Sequence, residues 1–266
     1  MLLKHIVLRL LPDAALWRIQ GWRTARRLRR EGPGDEPEFR PIPALLREGE
    51  GAVDAGANFG VYTFLFSRIV GNGGAVYSFE PVPLTYRALR AAVRRLRLRN
   101  VRLFPVGLSD RSGPAEMRSP PQSGGGANLY KTFIAEGEKR DRPGRSFRVR
   151  LATLDGALPA GTPPIRFIKI DVEGHELALL RGARRLLEES RPDLLIEVSR
   201  DPDDPTSTGY ELVRLLAGWG YSPYLLREGA LRRRRRGDRS VNYFFLAGDH
   251  LRALRSAGFP VHDVTD

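Results

Sequence analysis

From residue 51 to residue 247, short apolar runs alternate with segments of helical period, and this alternation limits the possible fold more than any other feature. The runs are GAVDAG (51–56), AVYSFE (75–80), VRLFPVGL (101–108), FRVRLATL (147–154), IRFIKIDV (165–172), DLLIEV (193–198), SPYLL (222–226) and VNYFFLA (241–247). Between them, the spacing of apolar side chains predicts helices over about 58–70, 83–98, 175–189 and 209–218. Strands that alternate with helices form a parallel sheet covered on both faces, so the predicted class is α/β. Only a short arginine-rich segment separates the last two runs, which predicts an antiparallel hairpin at one edge of that sheet.

The length of 266 residues suits one large domain with additions. Residues 1–38 read as an N-terminal unit, a basic amphipathic helix over 1–30 with Leu2, Ile6, Leu10, Leu16 and Trp17 as its apolar members and then the Gly/Pro linker that begins EGPGDEPEFRP (31–41); the catalytic-size domain is expected over 39–266. Arg9, Asp13 and Arg18 interrupt the apolar opening, so it is a poor signal peptide and too short to span a bilayer, and a cytoplasmic protein is expected. The absence of cysteine removes disulfides and thiolate metal ligands, and argues against a structural zinc site. Residues 119–146 are rich in Gly, Pro and Ser and interrupt the domain as a lid, a binding loop or a disordered insertion.

The formal charge is +13, and it is concentrated. Residues 1–30, 87–102 and 227–240 each carry seven arginines and few acids. Only four of the 44 basic residues are lysine, and a GC-rich genome produces such a bias without selection for binding. In the predicted helix over 83–98, Leu89, Val93 and Leu96 share one face and Arg87, Arg90, Arg94 and Arg97 another, the ordinary layout of a helix packed on a sheet. No basic stretch is interleaved with aromatic residues, which disfavours nucleic acid as a partner. Contact with an anionic membrane surface through the N-terminal helix stays open.

Ligands of open α/β sheets bind beyond the carboxyl ends of the strands. Asp54, Glu80, Asp110, Asp171 and Glu197 all fall at or just after predicted strand ends. In VDAGANFGVYT, Gly56 and Gly60 allow positive φ or a close backbone approach, but G-A-N-F-G-V fails the G-x-G-x-x-G pattern of a pyrophosphate seat. A ligand with a ribose and a positive centre, met by Asp54 and Glu80, fits better, and S-adenosylmethionine meets that description better than NAD. In FIKIDVEGHEL, Asp171, Glu173, His175 and Glu176 lie within six positions around Gly174. These groups could hold a divalent cation, act as general base, or bind an ammonium group, or Glu173 and His175 could cap the next helix.

VDAGANFGVYTF, SFEPVP, VGLSD, LATLDGAL, FIKIDVEGHELALLRGA and DLLIEV, in this order, resemble the FkbM family of class I S-adenosylmethionine-dependent methyltransferases over roughly residues 45–247. The resemblance implies a Rossmann-like, seven-stranded sheet with helices on both faces and an antiparallel final strand. It also implies O-methylation of a sugar, glycan or secondary metabolite. It assigns Asp54, Gly56, Asn58 and Gly60 to the cofactor loop, Glu80 to the ribose, and Ser109 and Asp110 to the adenine side. Asp171, Glu173 and His175 are implied beside the methyl group and acceptor, with Glu197 across the mouth. Among these, His175 is the first candidate for the base and Asp171 the second. A divalent metal is not established by these motifs. The competing readings are an RNA methyltransferase and a catalytically silent membrane- or partner-binding protein on the same fold.

Overall fold

The computed structural model describes residues 13–122, 127–139, 141–248 and 250–262. The expected helix members Leu2, Ile6 and Leu10 lie outside the described residues, as does the glycine run at 124–126.

The chain builds an α/β sandwich around one large sheet. Its strands are β1 (Gly51–Ala55), β2 (Ala75–Phe79), β3 (Val101–Phe104), β8 (Ile165–Ile170), β9 (Asp193–Glu197), β10 (Tyr221–Arg227), β11 (Ala230–Arg233), β12 (Asn242–Ala247) and β13 (Val261–His262). Their order is β13-β11-β10-β12-β9-β8-β1-β2-β3. The seven strands from β3 to β10 are parallel except β12, which is antiparallel to both β9 and β10.

Successive side chains on a strand point to opposite faces, and both faces here are apolar. Val53, Ile168, Leu194 and Phe245 pack toward α6 (Glu176–Arg181), α7 (Arg184–Glu189) and α8 (Thr208–Gly218). Ala52, Phe167, Leu195 and Phe244 pack toward α2 (Ile42–Leu45), α3 (Val61–Val70) and α9 (His250–Ser256). Two-sided burial explains why these strands are almost continuously apolar in sequence.

Several expectations are corrected. The sheet has nine strands, not seven, and β12 lies inside it rather than in an edge hairpin with β10. The actual hairpin is β10–β11, closed by Glu228 and Gly229, both at positive φ, as a two-residue turn of the right twist requires. The run VRLFPVGL is broken at Pro105: β3 stays in the large sheet, whereas β4 (Gly107–Leu108) joins a second sheet. FRVRLATL is also in that sheet as β7 (Arg145–Ala152), beside β5 (Gly113–Ser119) and β6 (Phe133–Ile134) in the order β4-β7-β5-β6. β7 alternates buried Phe147, Val149 and Leu151 with exposed arginines, the pattern of an antiparallel strand with one wet face. The insertion over 119–146 is thus partly built into a sheet.

The helix expected over 175–189 is two helices, α6 and α7, meeting at Gly182. A methyl group on Gly182 would collide with the Ser109 carbonyl, so the break lets the chain pass close to the loop after β4. Within the expected linker a 3-10 turn (Pro37–Phe39) buries Phe39, and α2 directly after it buries Ile42 and Leu45. The N-terminal segment contains α1 (Asp13–Glu31), which packs along α4 (Pro83–Leu96). The contact is tight because a Cβ on Gly21 would meet the Ala88 carbonyl and the Ala91 side chain, each at 2.7 Å. Thr24, Ala25 and Leu28 complete that buried stripe, while Trp17 is half-buried. Leu89 and Val93 of α4 are buried and its arginines are exposed, as the periodicity predicts.

Candidate active site

The turn between β1 and α3 and the turn between β8 and α6 meet at the carboxyl edge of the large sheet. Gly56 (φ 76), Asn58 (φ 49) and Gly60 (φ 90) are all in the left-handed region. The requirement for glycine at Gly56 comes from the chain itself, since a methyl group there would overlap the carbonyl oxygen of Asp171. At Gly60 a methyl group would meet Leu89 at 2.6 Å. The two glycines therefore fit the first loop against the β8–α6 turn and against α4.

Glu80 is 5% exposed, and each of its carboxylate oxygens accepts a backbone N–H, from Asn58 at 3.0 Å and from Val82 at 2.9 Å. Burial pushes its pKa up to about 7, against the two hydrogen bonds that favour the ionised form. Asp54 is fully buried beneath the loop. Its Oδ2 accepts from the Thr63 hydroxyl at 2.6 Å, Thr63 is 2.8 Å from the Ser78 hydroxyl, and burial raises the pKa of Asp54.

Lys169, opposite Asp54 in the β1–β8 register, is a buried charge beside these acids that the sequence reading passed over. Its ammonium donates to Asp171 at 3.1 Å and to the Gly56 carbonyl at 3.4 Å, and lies 5.2 Å from the Tyr62 ring centroid. Burial alone would depress its pKa, but Asp171 and Asp54 outweigh it and the net direction is upward, so Lys169 stays charged. The signal was available: Lys169 near the end of β8 and Asp171 just past it are two residues apart, the spacing that puts side chains on one face of an extended chain.

Glu173 sits at φ 54, and its carbonyl accepts from Lys139 at 2.8 Å. Burial, then the charges of Asp171 and Glu197, lift its pKa to about 7. Glu197, at the end of β9, is lifted to about 7 by burial and by the neighbouring Asp171 carboxylate. Glu176 serves the turn, accepting from the N–H groups of Gly174 at 2.8 Å and Val172 at 3.3 Å.

Gly56, Asn58, Glu80, Asp171 and Glu173 line one cleft, roofed by Leu129, Tyr130 and Thr132 from the insertion. The cleft is narrow, about 50 Å³, with the Tyr130 ring edge-on to Phe59 at 5.2 Å. His175 is not among its lining residues. The imidazole is 2.9 Å from Ser109 Oγ, which donates to Asp110 at 3.1 Å, and burial lowers its pKa. The neighbours that do line the cleft are Gly107 and Leu108. Among the described residues, no group of three or more His, Asp or Glu side chains is arranged to hold a metal ion.

A ribose-bearing cationic ligand fits these residues. Asn58 Oδ1 is buried and has no hydrogen-bond partner, and the Glu80 carboxylate has acceptor capacity beyond its two N–H bonds. The sheet, its antiparallel strand β12 inserted between β9 and β10, and the acid-rich cleft at the strand ends together define a class I S-adenosylmethionine-dependent methyltransferase.

The sequence profile of the methyltransferase FkbM domain matches residues 54–223, more than half of the chain. The chain belongs to the FkbM methyltransferase family, and its cofactor is S-adenosylmethionine. Among relatives, it is 28% identical to the 31-O-demethyl-FK506 methyltransferase FkbM of Streptomyces tacrolimicus, over 66% of this chain and 74% of that protein. It is 27% identical to the hexuronic acid methyltransferase AglP of Haloferax volcanii, over 72% of this chain and 70% of that one. A solved structure of a methyltransferase FkbM from Methylobacillus flagellatus KT superposes with a TM-score of 0.47 and 18% identity. That match covers 85% of this chain, which spans 57% of that one.

Proposed function

We propose that the protein methylates a hydroxyl oxygen of a sugar, glycan or secondary metabolite. The observation that supports this most is the set of carboxyl groups at the strand ends: Asp171 and Glu173 line the cleft that holds Glu80, and Glu197 adjoins Asp171. Two relatives point the same way, one named for a 31-O-demethyl acceptor and one for a hexuronic acid.

S-adenosylmethionine supplies a methyl group on a positively charged sulfur, a very good leaving group. The protein then has to hold and align the reactants and take up a proton. In this reading Glu80 accepts hydrogen bonds from the ribose hydroxyls, and Asn58 Oδ1 accepts one from the same ligand. Asp171, fixed by Lys169, presents negative charge to the cationic centre. Glu173, with a pKa of about 7, suits the removal of the acceptor hydroxyl proton near neutral pH better than His175, whose ring is engaged by Ser109. His175 and Ser109 are assigned to positioning the start of α6.

The test is calorimetric titration with S-adenosylhomocysteine, followed by a radiolabel methyl-transfer assay against uronic acids, neutral glycans and macrolide alcohols. Binding weakened by Glu80→Ala, with label appearing on a hydroxyl acceptor, is the expected result. Label on RNA in place of all the hydroxyl compounds would overturn the reading.

A further inference from the structure

The arginines of α1 and α4 are unused by the site. A groove of about 1000 Å³ runs between α1, α4 and β7, and Arg18, Arg87, Arg90, Arg94, Arg148 and Arg150 line it. It has no acidic lining residue, and Arg18, Arg87, Arg90, Arg94 and Arg150 make no ion pair among the described residues. Like charges this close repel one another, so the groove gains when an anionic partner enters its field.

Beside the groove, the outward face of α1 carries Ile19, 38% exposed, and Trp22, 45% exposed. They are one helical turn apart and opposite the buried stripe of Gly21, Thr24, Ala25 and Leu28. Arg23, Arg26 and Arg30 share their face, with the Arg26 guanidinium 5.3 Å from the Trp22 ring centroid. Few large apolar side chains are exposed among the described residues, and two of them stand here together. In sequence, α1 follows directly on MLLKHIVLRLLP, which is rich in Leu and basic but has no acid.

We infer that this face docks on an anionic lipid bilayer, with Ile19 and Trp22 entering the headgroup boundary and the flanking and groove arginines pairing with lipid phosphates. An amphipathic helix with Trp on one side and arginines around it is suited to that interface. Nucleic acid would satisfy the arginines but would leave Ile19 on the convex ridge of α1 in water, so the lipid surface accounts for both observations. No helix among the described residues is long and apolar enough to cross a membrane, so the contact is peripheral.

The experiment is co-sedimentation of the full-length protein with vesicles of phosphatidylcholine alone or mixed equally with phosphatidylglycerol. Binding should require phosphatidylglycerol and fall as added salt shortens the Debye length from about 10 Å toward about 3 Å. Two variants keep residues 1–12 intact. Arg90→Gln with Arg94→Gln should weaken partitioning by about an order of magnitude or more, and Ile19→Ser with Trp22→Ser should weaken it comparably. Retained binding of S-adenosylhomocysteine and an unchanged melting temperature would show that both variants fold. In a protein carrying Trp17→Phe and Trp219→Phe, Trp22 emission should shift to the blue on anionic vesicles. The inference fails if neither variant reduces sedimentation, if Trp22 emission stays unchanged, or if a short single-stranded RNA binds and strips the protein from the vesicles.

Discussion

The carbonyl oxygen of Asp171 occupies the place where a side chain on Gly56 would begin, so two motifs 115 residues apart in sequence are pressed into one surface. Asp171 also donates its N–H to the Ala55 carbonyl at 3.1 Å. Gly56→Ala is therefore expected to lower stability by about 2–4 kcal/mol, through both the overlap and the positive φ. S-adenosylhomocysteine binding should vanish with it, even at temperatures where circular dichroism shows the variant folded. A variant that melts and binds like the parent would refute this contact.

In the proposed site, Glu80 couples ligand affinity to pH-dependent stability. Its pKa is raised from 4.5 to about 7, so the folded protein holds a proton that the unfolded chain releases. That contribution is fully present below pH 4.5 and is lost as pH climbs through about 7. The shift corresponds to about 3 kcal/mol, so the ligand-free parent should lose stability between about pH 5 and pH 8, and Glu80→Ala should reduce that pH dependence. Glu80→Ala should weaken S-adenosylhomocysteine binding by about 1–3 kcal/mol. An unaltered dissociation constant would remove Glu80 from the site.

Glu173 and His175 separate by pH profile. With a pKa of about 7, Glu173 becomes a competent base as pH rises through neutrality, so kcat/KM should climb with an inflection near 7. Glu173→Gln should reduce kcat by about 10²–10⁴-fold and abolish that inflection, with S-adenosylhomocysteine affinity largely retained. His175→Gln, which preserves a hydrogen-bonding group toward Ser109, should keep most of the turnover. The reverse ranking would restore the imidazole as base.

For the proposed cofactor to enter this cleft its roof has to move, because about 50 Å³ is far below the several hundred that ligand sites enclose. The segment Asn128–Thr132 is held by Asn128 accepting from Tyr130 N–H at 3.2 Å and by the Tyr130–Phe59 contact. Amide exchange over residues 127–134 should be faster without ligand than with S-adenosylhomocysteine, and Tyr130→Ala should raise the ligand's dissociation rate. Equal exchange in the two states would mean that the roof does not open.

Lys169 is flanked by Asp171 and Asp54 and is 7% exposed. Lys169→Met leaves both carboxylates without their cation and should cost about 3–5 kcal/mol. Denaturant unfolding would measure it.

The sequence alone determined the class of fold, the main strands of the large sheet in their chain order and the glycine-bearing turn after β1. Each of these depends on local signals: apolar runs long enough for one strand, helical periodicity, and glycines where φ must be positive. It could not determine which strands share a sheet, because β7 reads as a strand whether it pairs with β8 or with β5. The one-sided burial that sends its arginines to solvent depends on those partners. Nor could it place β12 between β9 and β10, since pairing joins residues such as Phe245 and Leu194, about fifty positions apart. The same distance effect governs the site. Asp54, Glu80 and Asp171 stood out as acids at strand ends, but only packing set Lys169 between two of them and gave Glu80 its two backbone donors. It also turned His175 toward Ser109, 66 residues away. A side chain's neighbours come from elsewhere in the chain, and its chemistry follows from those neighbours.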